Sequence, residues 1–246
     1  MLALPPHARR FTAIPIRRLL LAGAGALTLP STAGGQQYIT DDAAITEFRA
    51  CLIQIWHGQR SSWALPACTP LRNLEVSAGL IAVWKDEADG HPEYVAQVKS
   101  ILVPAKRGRT ALGLVVGTGR DPGLTGVRDP GWNVYTYLPV STAFLNDRLI
   151  LHNNIGYVYD HRTGTENDRQ LTTIASRAEV SLRKYFVVVG EIYDSTGSEA
   201  EFQLGVRAWG RPDKVQFDLS YGGFLTRWGQ AAGWTLGLAL TTPPIL

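Results

Sequence analysis

The chain has 246 residues, of which 45% are hydrophobic and 18% charged, with 25 glycines, seven tryptophans and nine tyrosines. That is ample for one ordered domain and excludes a disordered or collagen-like chain, while charge below the roughly 25% usual for soluble domains points towards a membrane. The formal charge is +3, but four of the 24 basic residues and none of the 21 acidic ones lie in the first 33 positions. The remainder carries 20 basic and 21 acidic side chains, a net charge of −1, so an argument for nucleic-acid binding from overall charge fails.

In chain order, residues 1–33 read as a secretory signal peptide. Arg9, Arg10, Arg17 and Arg18 precede an apolar run from Leu19 to Leu29, and Ser31-Thr32-Ala33 supplies small residues for a cut after Ala33. The apolar run is about half of the ~20 residues a spanning helix requires. Residues 34–48 are expected to form a periplasmic N-terminal segment, and residues 49–246 an outer-membrane barrel. Export to an oxidising compartment makes Cys51 and Cys68, the two cysteines of the chain, a disulfide.

Beyond residue 45 the dominant signal is alternation with period two. In the stretch from Leu74 to Trp84, Leu74, Val76, Ala78, Leu80, Ala82 and Trp84 share one face, and Glu75, Ser77 and Gly79 the other. The same reading fits Phe202, Leu204, Val206 and Ala208, then Val215, Phe217, Leu219 and Tyr221, then Trp234, Leu236, Leu238 and Leu240. Twelve strands are predicted near residues 49–58, 62–69, 72–85, 93–104, 109–118, 132–143, 148–159, 170–182, 185–193, 200–209, 214–222 and 232–241. Short connections at 106–108, 146–147, 183–184 and 211–213 alternate with long ones at 119–131, 160–169, 194–200 and 223–231, as periplasmic turns and extracellular loops do in outer-membrane barrels. An even count puts both termini on the short-turn side.

The fold class predicted is therefore all-β, an antiparallel up-and-down transmembrane barrel of about 12 strands. The first hairpin turns between Gln59 and Arg60, so facing residues sum to 119, which sets Cys51 opposite Cys68. A secreted β-sandwich also alternates. Against it, the oily face has no second sheet to cover it, and Trp56, Trp84, Trp132, Trp209, Trp228, Tyr94, Tyr159 and Tyr193 fall near strand ends, where aromatic girdles sit.

If the oily face meets lipid, the polar face lines a lumen carrying Glu75, Lys99, Arg177, Glu179, Glu191, Arg207 and Asp218, three basic and four acidic groups. Arg177 is expected almost opposite Glu191, and Glu75 near the height of Lys99. Either these groups line a path for solute, or they form a salt-bridge ladder in a narrow closed barrel; both readings stand. No catalytic residues are assigned: His152 and Asn153 point to opposite faces, His57 lies near Ser61 and Ser62 without a third partner, and no serine has a nucleophile's context. His57, His91, His152 and His161 show no ligand spacing, and Asp41-Asp42 reads as a solvated turn, so neither metal nor cofactor is expected.

Several segments resemble a family of bacterial outer-membrane β-barrel proteins described as transporters and related to phenol meta-pathway-associated barrels. They are Thr40-Asp41-Asp42-Ala43, Ala50-Cys51, Trp63-Ala-Leu-Pro-Ala-Cys68-Thr-Pro70, Asn73-Leu74-Glu75, Val116-Gly-Thr-Gly-Arg-Asp121-Pro122, Leu149-Ile-Leu-His152 and Leu240-Thr-Thr-Pro-Pro244. The resemblance implies outer-membrane location and uptake of small, often hydrophobic or aromatic compounds, and carries over no catalytic residues. The chain ends Pro243-Pro244-Ile245-Leu246 rather than in the aromatic residue that the barrel assembly machinery commonly reads, so the strand through Leu240 is expected to carry that signal. The expected partners are outer-membrane lipid, the assembly machinery and a small solute, with no nucleic acid. The expected function is a passive channel or uptake pore; the alternative is a closed structural or partner-binding barrel.

Overall fold

In the computed structural model the described residues are 38–59, 61–84, 90–105, 109–120, 132–161, 169–211, 214–226 and 232–245. Residues 1–33, expected from the sequence to be a signal peptide, Trp228 and the side chains of Trp84 and His91 lie outside them. Twelve strands run β1 (Cys51–Gly58), β2 (Ser61–Leu71), β3 (Leu74–Trp84), β4 (Gly90–Val103), β5 (Thr110–Arg120) and β6 (Trp132–Phe144), then β7 (Leu149–Asp160), β8 (Arg169–Arg183), β9 (Phe186–Ser195), β10 (Glu201–Arg211), β11 (Val215–Phe224) and β12 (Gly233–Thr241). Each pairs antiparallel with its sequence neighbours, and β1 pairs with β12, closing the barrel. Closure leaves no sheet edge, which is what a strand-built structure needs where no water can satisfy free backbone groups.

The alternation sorts side chains inside out. Ile53, Val76, Leu80, Ile155, Ile174, Leu204 and Leu236 face outward at 40–60% exposure, whereas Glu75, Lys99, Arg177, Glu191 and Asp218 are buried on the opposite parity. A water-soluble domain does the reverse, so this exterior fits hydrocarbon. The register shifts at Cys68/Leu71, Ile101/Val103, Ser181/Arg183 and Trp209/Arg211 all lie at the short-turn end, as bulges at a barrel rim do. There the β6–β7 turn takes Leu145, Asn146 and Asp147 through positive φ.

Cys51 and Cys68 are direct cross-strand partners and form a disulfide, with Cα atoms 4.1 Å apart. The girdle reading needs correction. Tyr94, Trp132 and Trp234 are exposed on the outside, but Trp56, Tyr193 and Trp209 stand on the inward parity. Trp56 packs edge-on against its strand partner Trp63, with ring centroids 6.1 Å apart. A strand-end aromatic belongs to the girdle only if its parity is outward, and position along the strand does not reveal parity.

Candidate functional site

The lumenal wall carries a connected set of charges. Arg207 and Asp218 are cross-strand partners joined at 2.8 Å, and the other side of the guanidinium reaches Glu179, also at 2.8 Å. Arg177 Nε lies 3.1 Å from the same Glu179 oxygen, an ion-pair contact off the angle of a hydrogen bond. Arg177 and Glu191 are cross-strand partners, as are Glu75 and Lys99. Neither pair is joined across its strands, and apart from the Arg177–Glu179 contact these four side chains are not paired with the wall.

Their partners come from the chain ahead of β1. Both Glu191 carboxylate oxygens accept backbone N–H groups, of Ile39 and Thr40, while Arg177 Nη1 donates to the Thr40 carbonyl. Lys99 Nζ donates to Asp41 at 2.9 Å and to Asp42 at 3.1 Å. Tyr137 donates its hydroxyl proton to Asp41 at 3.1 Å. Ala43 N–H donates to Ser141 Oγ at 2.8 Å, and Glu75 accepts both the N–H and the hydroxyl of Thr46. Asp42 keeps its pKa well below the ordinary carboxylate value: burial alone would raise it, but the charges of Lys99, Arg177 and His152 outweigh that.

This strap, Tyr38–Thr46, crosses the ring. Glu75 on β3 and Glu191 on β9 sit on strands six apart in a ring of twelve, hence on opposite walls. Twelve strands about 4.8 Å apart, tilted near 40°, enclose a ring roughly 24 Å across between backbones. The seven steps from Ile39 to Thr46 reach about 25 Å when extended. A segment of this length, held at both ends, spans the lumen.

Tyr38 closes the far end. Its ring lies between the Arg177 and Arg207 guanidiniums, 5.7 and 5.8 Å from their carbons, and packs on Val187 and Val189. A side chain at Gly205 would overlap its hydroxyl. Burial raises the Tyr38 pKa far above the ordinary phenol value. At the near end the strap is rooted beside the disulfide. Arg49 takes φ 69°, its N–H donates to Thr69, Thr69 N–H donates to Ala50, and the Arg49 carbonyl accepts from Ile245.

His152 is buried with Nδ1 2.7 Å from Ser141 Oγ, and Asn153 is exposed on the other face. A carboxylate, Glu179, stands 3.8 Å from Nε2, beyond hydrogen-bond reach and turned towards two arginines. Ser141 Oγ meanwhile accepts the strap's Ala43 N–H, so the serine and histidine hold the strap. His57 meets Ser62 at 2.7 Å on the exposed side. Among the described residues no group of three His, Cys, Asp or Glu side chains could hold a metal ion.

Towards the long-loop end Glu93, Asp160 and Glu201 stand on the inward parity, as cross-strand partners of Ile81, Asn133 and Tyr193. The Tyr135 ring lies flat over Gly117, where any side chain would strike it, and its hydroxyl donates to Gln97 at 2.9 Å. Above Ile39 a recess is lined by Glu191, Tyr193, Glu201, Phe202 and Gln203. All seven charged residues read from the sequence stand on the inward parity, and four of them, Arg177, Glu179, Arg207 and Asp218, are joined across β8, β10 and β11. Tyr38, Asp41, Asp42 and Ser141 carried no periodic signal that would have singled them out.

A KdgM porin in complex with disordered oligogalacturonate superposes with a TM-score of 0.54 at 8% identity, over 79% of this chain and 98% of that one. A second KdgM porin structure gives 0.53 at 8% identity, with the same coverage. At such identity the likeness is one of fold: a closed 12-stranded antiparallel barrel of the kind seen in bacterial outer-membrane porins. Comparison with curated proteins finds no matching relative. A family model spans residues 24–241, which take in all twelve strands and the strap, and on that match the chain belongs to the family described as Uncharacterised conserved protein UCP029691.

Proposed function

We propose that this chain is an outer-membrane barrel that admits small solutes, exported by a leader cut after Ala33 and inserted by the barrel assembly machinery. The observation that carries the reading is the inside-out closed barrel: exposed Leu, Ile and Val around the outside, buried Lys99, Arg177 and Glu191 within. A polar lumen of twelve strands has room for a path. The Tyr38 socket, an aromatic ring between two guanidiniums over valines, supports a finer assignment to small hydrophobic or aromatic compounds.

The test is liposome swelling with refolded mature protein, comparing small aromatic compounds with sugars of equal mass. Faster swelling with the aromatic set is expected; no swelling with any solute, from protein shown to be folded, contradicts the reading. A second reading, a closed structural or partner-binding barrel, is favoured by the strap spanning the lumen between opposite walls. It requires that no flux appear even after the strap is removed.

A further inference from the structure

We propose that Tyr38–Thr46 is a hinged gate, and that the lumenal wall carries a second set of charge partners that stabilises the barrel when the strap withdraws. The inference rests on the pore reading above.

The strap contributes nothing to barrel closure. The twelve-strand ladder is complete without it, because β1 pairs with β12 over seven residue pairs. Every strap contact described is a side chain, or a side chain meeting a backbone group, and none is a ladder bond. Withdrawal therefore breaks no strand pairing. The root stays in place, since Arg49, Ala50 and Cys51 are tied to Thr69, Ile245 and Cys68. The strap hangs from a fixed point where Arg49 already takes a turn conformation.

Buried charges decide whether an empty lumen is tolerable, because stranding Lys99, Glu75 or Glu191 without a partner would cost several kilocalories per ion. The register prevents that. Lys99 faces Glu75 directly across β3 and β4, and Arg177 faces Glu191 across β8 and β9. In the closed state each of these four side chains takes a partner on the strap: Asp41 and Asp42 for Lys99, Thr46 for Glu75, the Thr40 carbonyl for Arg177, and the Ile39 and Thr40 amides for Glu191. Once the strap leaves, the four can close into two wall pairs. Meanwhile Arg207, Glu179 and Asp218 remain joined in both states. Two discrete arrangements, each with its charges satisfied, are what a switch between two states requires.

The experiment is planar-bilayer recording of the refolded mature protein beside two variants. One lacks residues 34–46. The other carries Ala43→Cys with Ser141→Cys, which locks the strap at the point where Ala43 N–H meets Ser141. Thiol counting confirms that the lock has formed, a gel shift on boiling confirms folding, and mature protein with reductant serves as control. The proposal predicts intermittent openings in the mature protein, a several-fold higher and steady conductance without the strap, and a silent locked variant that recovers on reduction. If the locked variant conducts as the mature protein does, the strap is no gate while the pore reading stands. If the folded strap-less barrel does not conduct, the pore reading falls and the gate with it.

Discussion

Replacing Glu179 with glutamine tests whether the lumenal charges sit in a packed, poorly hydrated interior. The Glu179 side chain is 12% exposed and meets Arg207 at 2.8 Å and Arg177 at 3.1 Å. Glutamine keeps the volume and removes the charge, leaving two guanidiniums to share the remaining acids. Breaking a buried pair costs about 3–5 kcal/mol. Arg207 retains Asp218 at 2.8 Å and Arg177 retains the Thr40 carbonyl, so the loss should sit near the lower bound, about 3 kcal/mol. In a wide, water-filled pore the same pair would contribute only about 0.2–1 kcal/mol. Urea unfolding of the barrel refolded in lipid, followed by tryptophan fluorescence with the slope held common, reads the difference. The double variant with Arg177→Gln removes one charge of each sign and should lose less than the sum of the two single losses. A single-variant loss below about 1 kcal/mol would refute the packed-lumen argument.

Four further outcomes are expected of the same barrel. Removing the disulfide as Cys51→Ser with Cys68→Ser, which opens a link across 17 residues, should lower barrel stability by about 3 kcal/mol, and reductant should reproduce the shift in unfolding midpoint. Gly117→Ala drives a methyl group against the hydroxyl end of the Tyr135 ring and should cost about 1–3 kcal/mol; combining it with Tyr135→Ala should recover part of that loss in the same unfolding assay. Lys99→Met takes the ammonium away from Asp41 and Asp42 and should speed protease cleavage within residues 38–46 while leaving the barrel resistant; unchanged cleavage would remove Lys99 as an anchor. Asp42 is held below its ordinary value, so its anchoring is complete at pH above about 4 and is lost as pH falls through the lowered pKa. Strap protection from a protease active in acid should therefore weaken on acidification and never on moving from pH 5 to 7.

The architecture was legible because one physical signal repeats. Strands such as Leu74–Trp84 and Glu201–Arg211 alternate oily and polar, and a period of two states which side chains share a face. Turn positions then set register, which is why the sequence puts Cys51 opposite Cys68 and Arg177 within a residue of its partner Glu191. Girdle positions were only half legible, since Trp56 and Tyr193 lie at strand ends but face inward. The strap was not legible. Its bonds to Glu191, Ser141 and Glu75 use backbone N–H groups, which every residue except proline supplies, so they leave no mark on composition. Asp41-Asp42, which reads as a solvated turn, instead meets Lys99, a residue 57 positions further along the chain than Asp42. That pairing follows from the extended strap reaching across the lumen, and period-two reasoning says nothing about a segment outside the sheet.

The most direct test of the account is the mobility of mature, detergent-refolded protein on a gel run with and without boiling, and with and without reductant. A closed membrane barrel with its disulfide at the first hairpin predicts a faster unboiled band that persists on reduction, in protein insoluble without detergent. No shift on boiling, with solubility in plain buffer, would contradict the barrel and with it the lumen, the strap and the pore.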